Sequence, residues 1–378
     1  MQVPTRISYG GRSGAPLALI AATAAVTMMF ASTPFLVPAI AQRYNVSEGS
    51  VGAISIAQVG AFAAANFILP RLFRPSGRTL RLAAISLLLL NVASVVPTWF
   101  PALVSLRLLA GVAAGTMTWL TWTNAMKRKS SMSAVASTGP LVALIAAPLM
   151  AIAASRGDRA VYIILALASV PAAILFAPIT GRRRAKGVIS GSRSNRLLLG
   201  ALGALTFFGS ALFINQAVVA RDIHDLSPIA TSLAFSLNAA GGLLGARLSV
   251  KHVYPGWFML SIGPAALLTV LGPPIGFFIG MAWWGFGFWM AVPGILQMLV
   301  DRSLEPSERA GDGQGLMALG RAFGPAMGGY FVDTGGLTTL AIISSIGIGA
   351  SGLTVVGVKQ GREMLPPTDP RTIDQREH

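Results

Sequence analysis

An arginine lies inside a long apolar stretch of this chain, where a charge is costly. The stretch "SLRLLAGVAAGTMTWLTWTNAMKRK" covers residues 105–129 and contains Arg107. An arginine near the centre of a membrane helix costs roughly 2.5–3.5 kcal/mol on insertion scales. At 100° per residue, one helix face carries Arg107, Gly111, Gly115 and Trp122. This face predicts the lining of a polar cavity, and the alternative is that Arg107 extends to the membrane interface.

Two other stretches carry groups that could contact a solute. The amides of Asn215 and Gln216 could orient a polar substrate. The stretch "FFIGMAWWGFGFW" at 277–289 has tryptophans near its middle rather than at its ends, and it contains Trp284 and Phe288. These rings either line a cavity or pack helix against helix between the glycines, and the sequence leaves both alternatives open.

The remaining reactive residue types argue against catalysis and against a bound metal. The chain has no cysteine, and no Asp or Glu lies in the interior of an apolar stretch. Its three histidines lie in loops, tails or helix ends, and the cluster "RDIHD" at 221–225 is typical of a solvated loop. We therefore predict no enzyme activity, no metal and no cofactor.

The elements that position these residues are membrane helices. Of the 378 residues, 53% are hydrophobic and only 11% are charged, whereas a soluble domain carries about a quarter. Apolar runs of about 20 residues recur along the whole chain, which indicates an all-α membrane protein with twelve transmembrane helices. The predicted spans are 16–40, 50–69, 80–99, 102–126, 132–154, 160–180, 197–220, 228–246, 257–273, 275–299, 314–332 and 336–358.

The distribution of basic residues predicts the orientation. The chain has 29 Lys and Arg, of which 23 lie in the tails and even-numbered loops and four in the odd-numbered loops. Both termini are therefore predicted to be cytoplasmic, in a bacterial inner membrane with anionic lipids at its cytoplasmic face. The net charge of +16 is a membrane-face signal and does not indicate a nucleic-acid partner. The first apolar run is too long for the 7–15 residues of a signal-peptide core.

The chain looks duplicated. Gln58 in the second span and Asn238 in the eighth are 180 residues apart, and a Gly-Pro pair in the fifth span recurs 185 residues later in the eleventh. The Gly-Pro pairs, expected to bend their helices, are Gly139-Pro140 and Gly324-Pro325. Two pseudo-symmetric six-helix bundles are therefore predicted. The predicted divisions are an N-terminal bundle at 1–180, a basic cytoplasmic central loop at 181–196, a C-terminal bundle at 197–358 and a cytoplasmic tail at 359–378.

Two cytoplasmic loops of opposite charge form a predicted inner gate. One is the basic loop after the fourth span, and the other joins the tenth and eleventh spans and is acidic. Since these loops are related by the predicted symmetry, we expect them to meet when the cytoplasmic side closes. Each exposed pair of opposite charges would then stabilise the closed form by about 0–1 kcal/mol. The residues are Lys127, Arg128, Lys129, Asp301, Glu305, Glu308 and Asp312.

Several motifs together resemble the major facilitator superfamily of secondary transporters. "RLLAGVAAG" at 107–115 is similar to the fourth-helix pattern of the family, and "GRAFGPAMGG" at 320–329 is similar to the GxxxGPxxGG pattern of its exporters. The loop "PRLFRPSGRTLR" at 70–81 matches the family signature in Gly77-Arg78 and departs from it at Arg74, where an aspartate is expected.

The resemblance implies a function and a pathway. It implies alternating access, with helices one, four, seven and ten lining a central path for a small-molecule substrate. The glycine patterns favour an efflux permease, with proton coupling as an option. The alternatives are an uptake permease for an organic anion paired with Arg107 and, from a different class, a non-transporting membrane sensor. We expect a monomer or a weak oligomer, because GxxxG spacings serve internal packing as readily as dimerisation.

Overall fold

The computed structural model describes residues 15–125, 129–179, 193–248, 254–301 and 306–363. Within these ranges the chain forms fourteen α-helices and no strand. The helices are α1 (Leu17–Ala31), α2 (Thr33–Tyr44), α3 (Gly52–Leu72), α4 (Gly77–Ala93), α5 (Phe100–Ala125), α6 (Lys129–Ala154), α7 (Asp158–Ile174), α8 (Arg193–Phe213), α9 (Gln216–Asp222), α10 (Pro228–Leu248), α11 (Pro255–Leu271), α12 (Pro274–Asp301), α13 (Pro306–Asp333) and α14 (Leu337–Glu363).

The fourteen helices make twelve crossings, as predicted. The helices α1 and α2 are one span, bent by 52° at Ser32, and α8 and α9 are one span from Arg193 to Asp222. Seven segments are long and apolar enough to cross a membrane by themselves, and the bent pair is the eighth. The other four crossings are α4, α7 and α11, which have 17 residues each, and the more polar α13.

Proline begins four helices of the second half. A proline at the first helical position loses no hydrogen bond, and its fixed φ angle suits the helix. The four residues are Pro228, Pro255, Pro274 and Pro306. The last of these corrects a predicted boundary, because α13 begins eight residues before the predicted span at 314. The glycine-rich segment after it is helical, and within it Gly313 packs closely against Leu296 of α12.

Each half of the chain packs as a bundle of six crossings. In the first half α3 packs along α5, α4 along α7, and α1 against α6 and α7. In the second half the equivalent contacts join α10 to α12, α11 to α14, and α8 to α13 and α14. The two bundles meet along two helix pairs, α3 with α13 and α6 with α10. Ser236 of α10 donates a hydrogen bond of 3.0 Å to the carbonyl oxygen of Leu144 in α6.

The closest backbone contacts repeat between the two bundles. Gly111 of α5 lies against the carbonyl oxygen of Gln58 in α3, and Gly285 of α12 lies against that of Asn238 in α10. At either glycine a Cβ would overlap that oxygen, so only glycine allows the helices to approach this far. Gln58 and Asn238 therefore occupy equivalent places, as their offset in the sequence predicted.

The two Gly-Pro pairs also lie at equivalent places. Gly139 of α6 is next to Thr27 of α1, and Gly324 of α13 packs on the carbonyl oxygen of Phe207 in α8. Both α6 and α13 continue through their Gly-Pro pair. The helix-bending role of Pro140 and Pro325 stays a prediction, while their glycines give close helix contacts.

Candidate functional site

Arg107 is buried within the first bundle and is held by uncharged partners. Its side chain is 1% exposed, and its Nη1 and Nη2 donate to Oδ1 of Asn91 in α4 at 3.0 and 3.1 Å. Its guanidinium carbon lies 5.0 Å from the ring centre of Tyr162 in α7. No carboxylate of the described residues lies within 4.0 Å of it. Arg107 therefore does not extend to the interface, and it keeps its charge without a counter-ion.

A small cavity lies beside Arg107 at the bend of the first span. Its wall includes Ser32 at the bend, Ser55 and Gln58 of α3, and Leu165 of α7. The Nε atom of Arg107 is buried and has no hydrogen-bond partner. Most of the wall is apolar, and Ser32, Ser55, Gln58 and Arg107 supply its polar groups, which an ordered water could join.

The glycines predicted to line a cavity with Arg107 form a helix contact instead. Gly111 and Gly115 pack on the backbone carbonyl groups of Gln58 and Phe62 in α3. Their face of α5 is covered because glycine lets two helix backbones approach closely. Trp122 is partly buried and packs against the hydrophobic core.

The amide pair lies at the break between α8 and α9 and is buried. Asn215 is 3% exposed, and its amide donates to the carbonyl oxygen of Ala211 at 2.8 Å. Gln216 is 0% exposed and donates to Oγ1 of Thr269 in α11 at 2.8 Å. The Oε1 atom of Gln216 has no partner. Gln216 therefore joins the broken span to α11, whereas the amide of Asn215 bonds within its own span.

Four aromatic rings cross from one bundle to the other, and we call them the aromatic plug. Phe35 of α2 contacts Phe235 of α10 with ring centres 5.0 Å apart. Phe235 contacts Phe213 of α8 at 5.4 Å, and Phe213 contacts Trp284 of α12 at 5.5 Å. Trp284 is 5% exposed. The plug therefore fills the space between the bundles at the depth of Trp284.

Phe288 lies one helical turn beyond Trp284 and is next to a second arginine. The guanidinium carbon of Arg321 in α13 is 5.8 Å from the ring centre of Phe288. Phe288 is partly buried, and Arg321 is exposed. Arg321 was not among the site residues predicted from the sequence. Its position one turn before Gly324-Pro325, far from both ends of α13, was the available signal.

Polar contacts join the two bundles at one face of the molecule, and we call them the far-face latch. This face is opposite to the one where the described chain begins and ends. Arg221 of α9 binds Glu48 through two hydrogen bonds of 2.7 and 3.1 Å. Asp333 at the end of α13 accepts from Oγ of Ser47 at 2.7 Å and from the backbone N–H of Gly49 at 2.9 Å. These contacts join the two bundles at this face.

The predicted inner gate falls largely outside the described residues. This holds for Lys127, Arg128 and Glu305, for most of the central loop at 181–196 and for the tail from 364 onward. The loop predicted to carry the acids is shorter than expected, because residues at both of its ends belong to the helices α12 and α13. Lys129 begins α6, Asp301 ends α12, and Glu308 and Asp312 lie in the first turns of α13. The contact between the two charged clusters stays a prediction.

The charges at membrane depth are the two arginines. In the middle parts of the described helices Arg107 and Arg321 are the charged side chains, and the acids lie near helix ends. No group of three or more His, Cys, Asp or Glu in the described residues could hold a metal ion. Such an arrangement attracts anions and offers no ligand set for a cation.

Comparison with known proteins gives a family and a fold. The model of the Major Facilitator Superfamily matches residues 18–329. The sequence matches no curated protein significantly. A bacterial homologue of the human lysosomal transporter Spinster, solved in an inward-facing and occupied conformation, is 13% identical with a TM-score of 0.69, over 93% of this chain and 98% of that one. The human organic anion transporter MFSD10 (TETRAN) is 15% identical with a TM-score of 0.64, over 90% and 97%.

Proposed function

We propose that this chain, which belongs to the Major Facilitator Superfamily of secondary transporters, exports a small organic solute by alternating access. The observation that carries the proposal is the asymmetry of the path between the bundles. It is closed at one face by the far-face latch and at the level of Trp284 by the aromatic plug. Beyond the plug, Arg321 is exposed at membrane depth. A site closed on one side and reachable from the other is what an alternating-access cycle needs.

The face that carries the termini is the cytoplasmic face in this proposal. The 23 basic residues of the tails and even-numbered loops support this orientation in a bacterial inner membrane. The far-face latch is then external, and the structure corresponds to an inward-facing state. Export is supported by the likeness of "GRAFGPAMGG" to the exporter pattern. In the structure its Gly320, Gly324 and Gly328 pack α13 along α8.

Uptake of an organic anion that pairs with Arg107 is a second candidate. It is favoured by the Nε atom of Arg107, which is buried without a partner beside a cavity. In this candidate the substrate reaches Arg107 only when the rings of the aromatic plug separate. The cavity beside Arg107 lies at the bend at Ser32, and the plug residue Phe35 belongs to the same span as this bend. In the export proposal Arg107 instead stabilises the bend through the cavity and acts on the substrate path indirectly.

Proteoliposomes test the proposed function. The purified protein is given three radiolabelled solutes of one size that differ in charge: 1-naphthalenesulfonate, 1-naphthalenesulfonamide and (1-naphthylmethyl)trimethylammonium. We expect flux of at least one solute above that of protein-free vesicles, with a pH gradient revealing any proton coupling. Arg107→Ala should abolish this flux, and Arg107→Lys should restore part of it, because an ammonium lacks the planar fork of a guanidinium.

A parallel measurement identifies a protein that does not transport. Phe288→Cys in this cysteine-free chain gives a reactive site just beyond the plug. In an alternating-access cycle, impermeant thiol reagents reach it from both faces of the membrane. Reaction from one face alone, with each solute and with either pH gradient, would identify a membrane sensor and overturn the proposal.

A further inference from the structure

Arg321 lies near the middle of the membrane. It precedes Asp333, the last residue of α13 at the far face, by 12 residues. At 1.5 Å per residue this is a depth of about 18 Å, in a hydrocarbon core about 30 Å thick. A side chain at this depth cannot reach water beyond the bilayer, so its surroundings inside the protein decide its role.

Arg321 points into the path between the bundles and away from lipid. The lipid-facing side of α13 is marked by Leu319, Phe323 and Tyr330, which are 37%, 53% and 66% exposed. At 100° per residue Arg321 lies on the opposite side of the helix. There its guanidinium is next to Phe288 of α12, whose own helix face carries the plug residue Trp284 one turn away.

Contacts between the bundles flank Arg321 on its own helix. The next residue, Ala322, faces Gly60 of α3, and Gly315 packs against Phe67 of the same helix. Arg321 therefore lies at the edge of the α3–α13 interface, where one bundle moves against the other in an alternating-access cycle.

Arg321 is an exposed residue, and its guanidinium is unpaired within the described part of the chain. No hydrogen bond and no ion pair joins it to any part of the chain that the structure describes, and the ring centre of Phe288 lies 5.8 Å from its guanidinium carbon. Arg107 is different, because Asn91 and Tyr162 already occupy two sides of its guanidinium. Of the two intramembrane arginines, Arg321 is the one with free donors facing open space.

We propose that Arg321 and Phe288 form the substrate site and that the substrate is an organic anion with a flat apolar body. This inference rests on the proposed transport function and names its substrate class. The guanidinium binds a carboxylate or sulfonate through two parallel hydrogen bonds, and its charge compensates the buried anion. The ring of Phe288 and the adjacent plug receive the apolar part. Organic cations are excluded, since the described middle parts of the helices offer no carboxylate.

Cysteine reactivity in the purified full chain tests the site without transport. Gln314 is exposed and lies seven residues before Arg321 on the same helix face. In Gln314→Cys we compare the reaction rates of an anionic methanethiosulfonate (sulfonatoethyl) and a cationic one (trimethylammonioethyl). One charge about 10 Å away changes the ratio of these rates by about fourfold in water, and more in a less polar cavity. Arg321→Gln should lower the anion-to-cation ratio by this factor.

Protection by matched ligands tests the substrate class. We expect 1-naphthalenesulfonate to slow the reaction of Gln314→Cys with the cationic reagent, and the uncharged 1-naphthalenesulfonamide to leave it unchanged. Arg321→Gln should abolish the protection, Arg321→Lys should keep part of it, and Phe288→Ala should weaken it. Arg78→Gln is the control, since it removes an exposed arginine at the start of α4, outside the interface between the bundles.

Two results would overturn the site: equal protection by the sulfonate and the sulfonamide, or protection by the sulfonate that survives Arg321→Gln. The outcome is independent of the flux experiment. Protection that depends on Arg321, combined with Phe288→Cys reacting from one face only, would uphold the anion site while the transport proposal fails. Flux without Arg321-dependent protection would uphold the transport proposal and overturn the anion site.

Discussion

The two intramembrane arginines illustrate two ways of keeping a charge inside a membrane. Arg107 is desolvated, and its charge is met by the amide oxygen of Asn91 and the ring of Tyr162. In the sequence, Arg107 stood out only through the free-energy cost of placing an arginine inside an apolar stretch. It could not identify Asn91 as the partner, because an asparagine 16 residues away on another helix gives no pattern until the helices are packed.

Replacing Asn91 should destabilise the first bundle through Arg107. Asn91→Leu removes the acceptor that Nη1 and Nη2 of Arg107 share and leaves Nη2 with only its 3.4 Å contact to the carbonyl oxygen of Leu90. Hydrogen bonds to charged groups contribute about 1.5–3 kcal/mol. We expect this loss in the free energy of unfolding, measured by denaturant titration of the purified protein. Ser169→Ala is the matched control, because it removes a weaker 3.3 Å contact of Asn91 and leaves the contact to Arg107. Equal stability of the two variants would show that Asn91 does not support the charge.

At the scale of the helices, glycines set the spacing within each bundle. The apolar runs predicted all twelve crossings, and the Gln58–Asn238 offset predicted which helices are equivalent. The sequence could not distinguish a glycine face that lines a cavity from one that packs on a neighbour, since both require an absent side chain. Gly111 and Gly115 are of the second kind. Apolar periodicity also missed the early start of α13 at Pro306, because its first turns are polar and glycine-rich.

A methyl group at the α3–α5 contact should separate the two helices. In Gly111→Ala the added Cβ would overlap the carbonyl oxygen of Gln58, and overpacking of this kind costs about 1–3 kcal/mol. Gly200→Ala is the control, since a Cβ there has nothing within 4 Å and alanine is the better helix former by about 1 kcal/mol. Thermal unfolding in detergent should give a lower midpoint for Gly111→Ala and an equal or higher one for Gly200→Ala. A midpoint for Gly111→Ala at or above that of the unaltered protein would contradict the packing argument.

At the scale of the whole molecule, the far-face latch determines which side is closed. Its partners are far apart in the sequence, since Glu48 and Arg221 are 173 residues apart and Ser47 and Asp333 are 286 apart. Twelve crossings follow from composition, but a conformational state does not, because it depends on side-chain pairs between the bundles. The sequence predicts charged pairs only at the opposite gate, whose loops carry more charge.

Locking the far-face latch should stop transport reversibly. In the double variant Ser47→Cys/Asp333→Cys a short bifunctional thiol reagent should join the two bundles, because the native side-chain oxygens are 2.7 Å apart. Flux should fall to the level of protein-free vesicles and return after reduction. Ser155→Cys/Asp333→Cys is the control, since Ser155 is exposed at the same face and bonds only within its own turn. Full flux in the cross-linked protein would show that this face need not open.

In the proposed cycle, in which Arg321 binds the substrate anion, the unpaired charge of Arg321 responds to the membrane potential. A bound monoanion cancels that charge, so the loaded protein exposes a neutral site to either side. The empty protein exposes one positive charge, and each change of access then involves up to about 2.3 kcal/mol per 100 mV. A potential negative inside holds the empty site toward the cytoplasm, where an exporter is loaded. The voltage therefore acts on the return of the empty protein and leaves the loaded step unaffected.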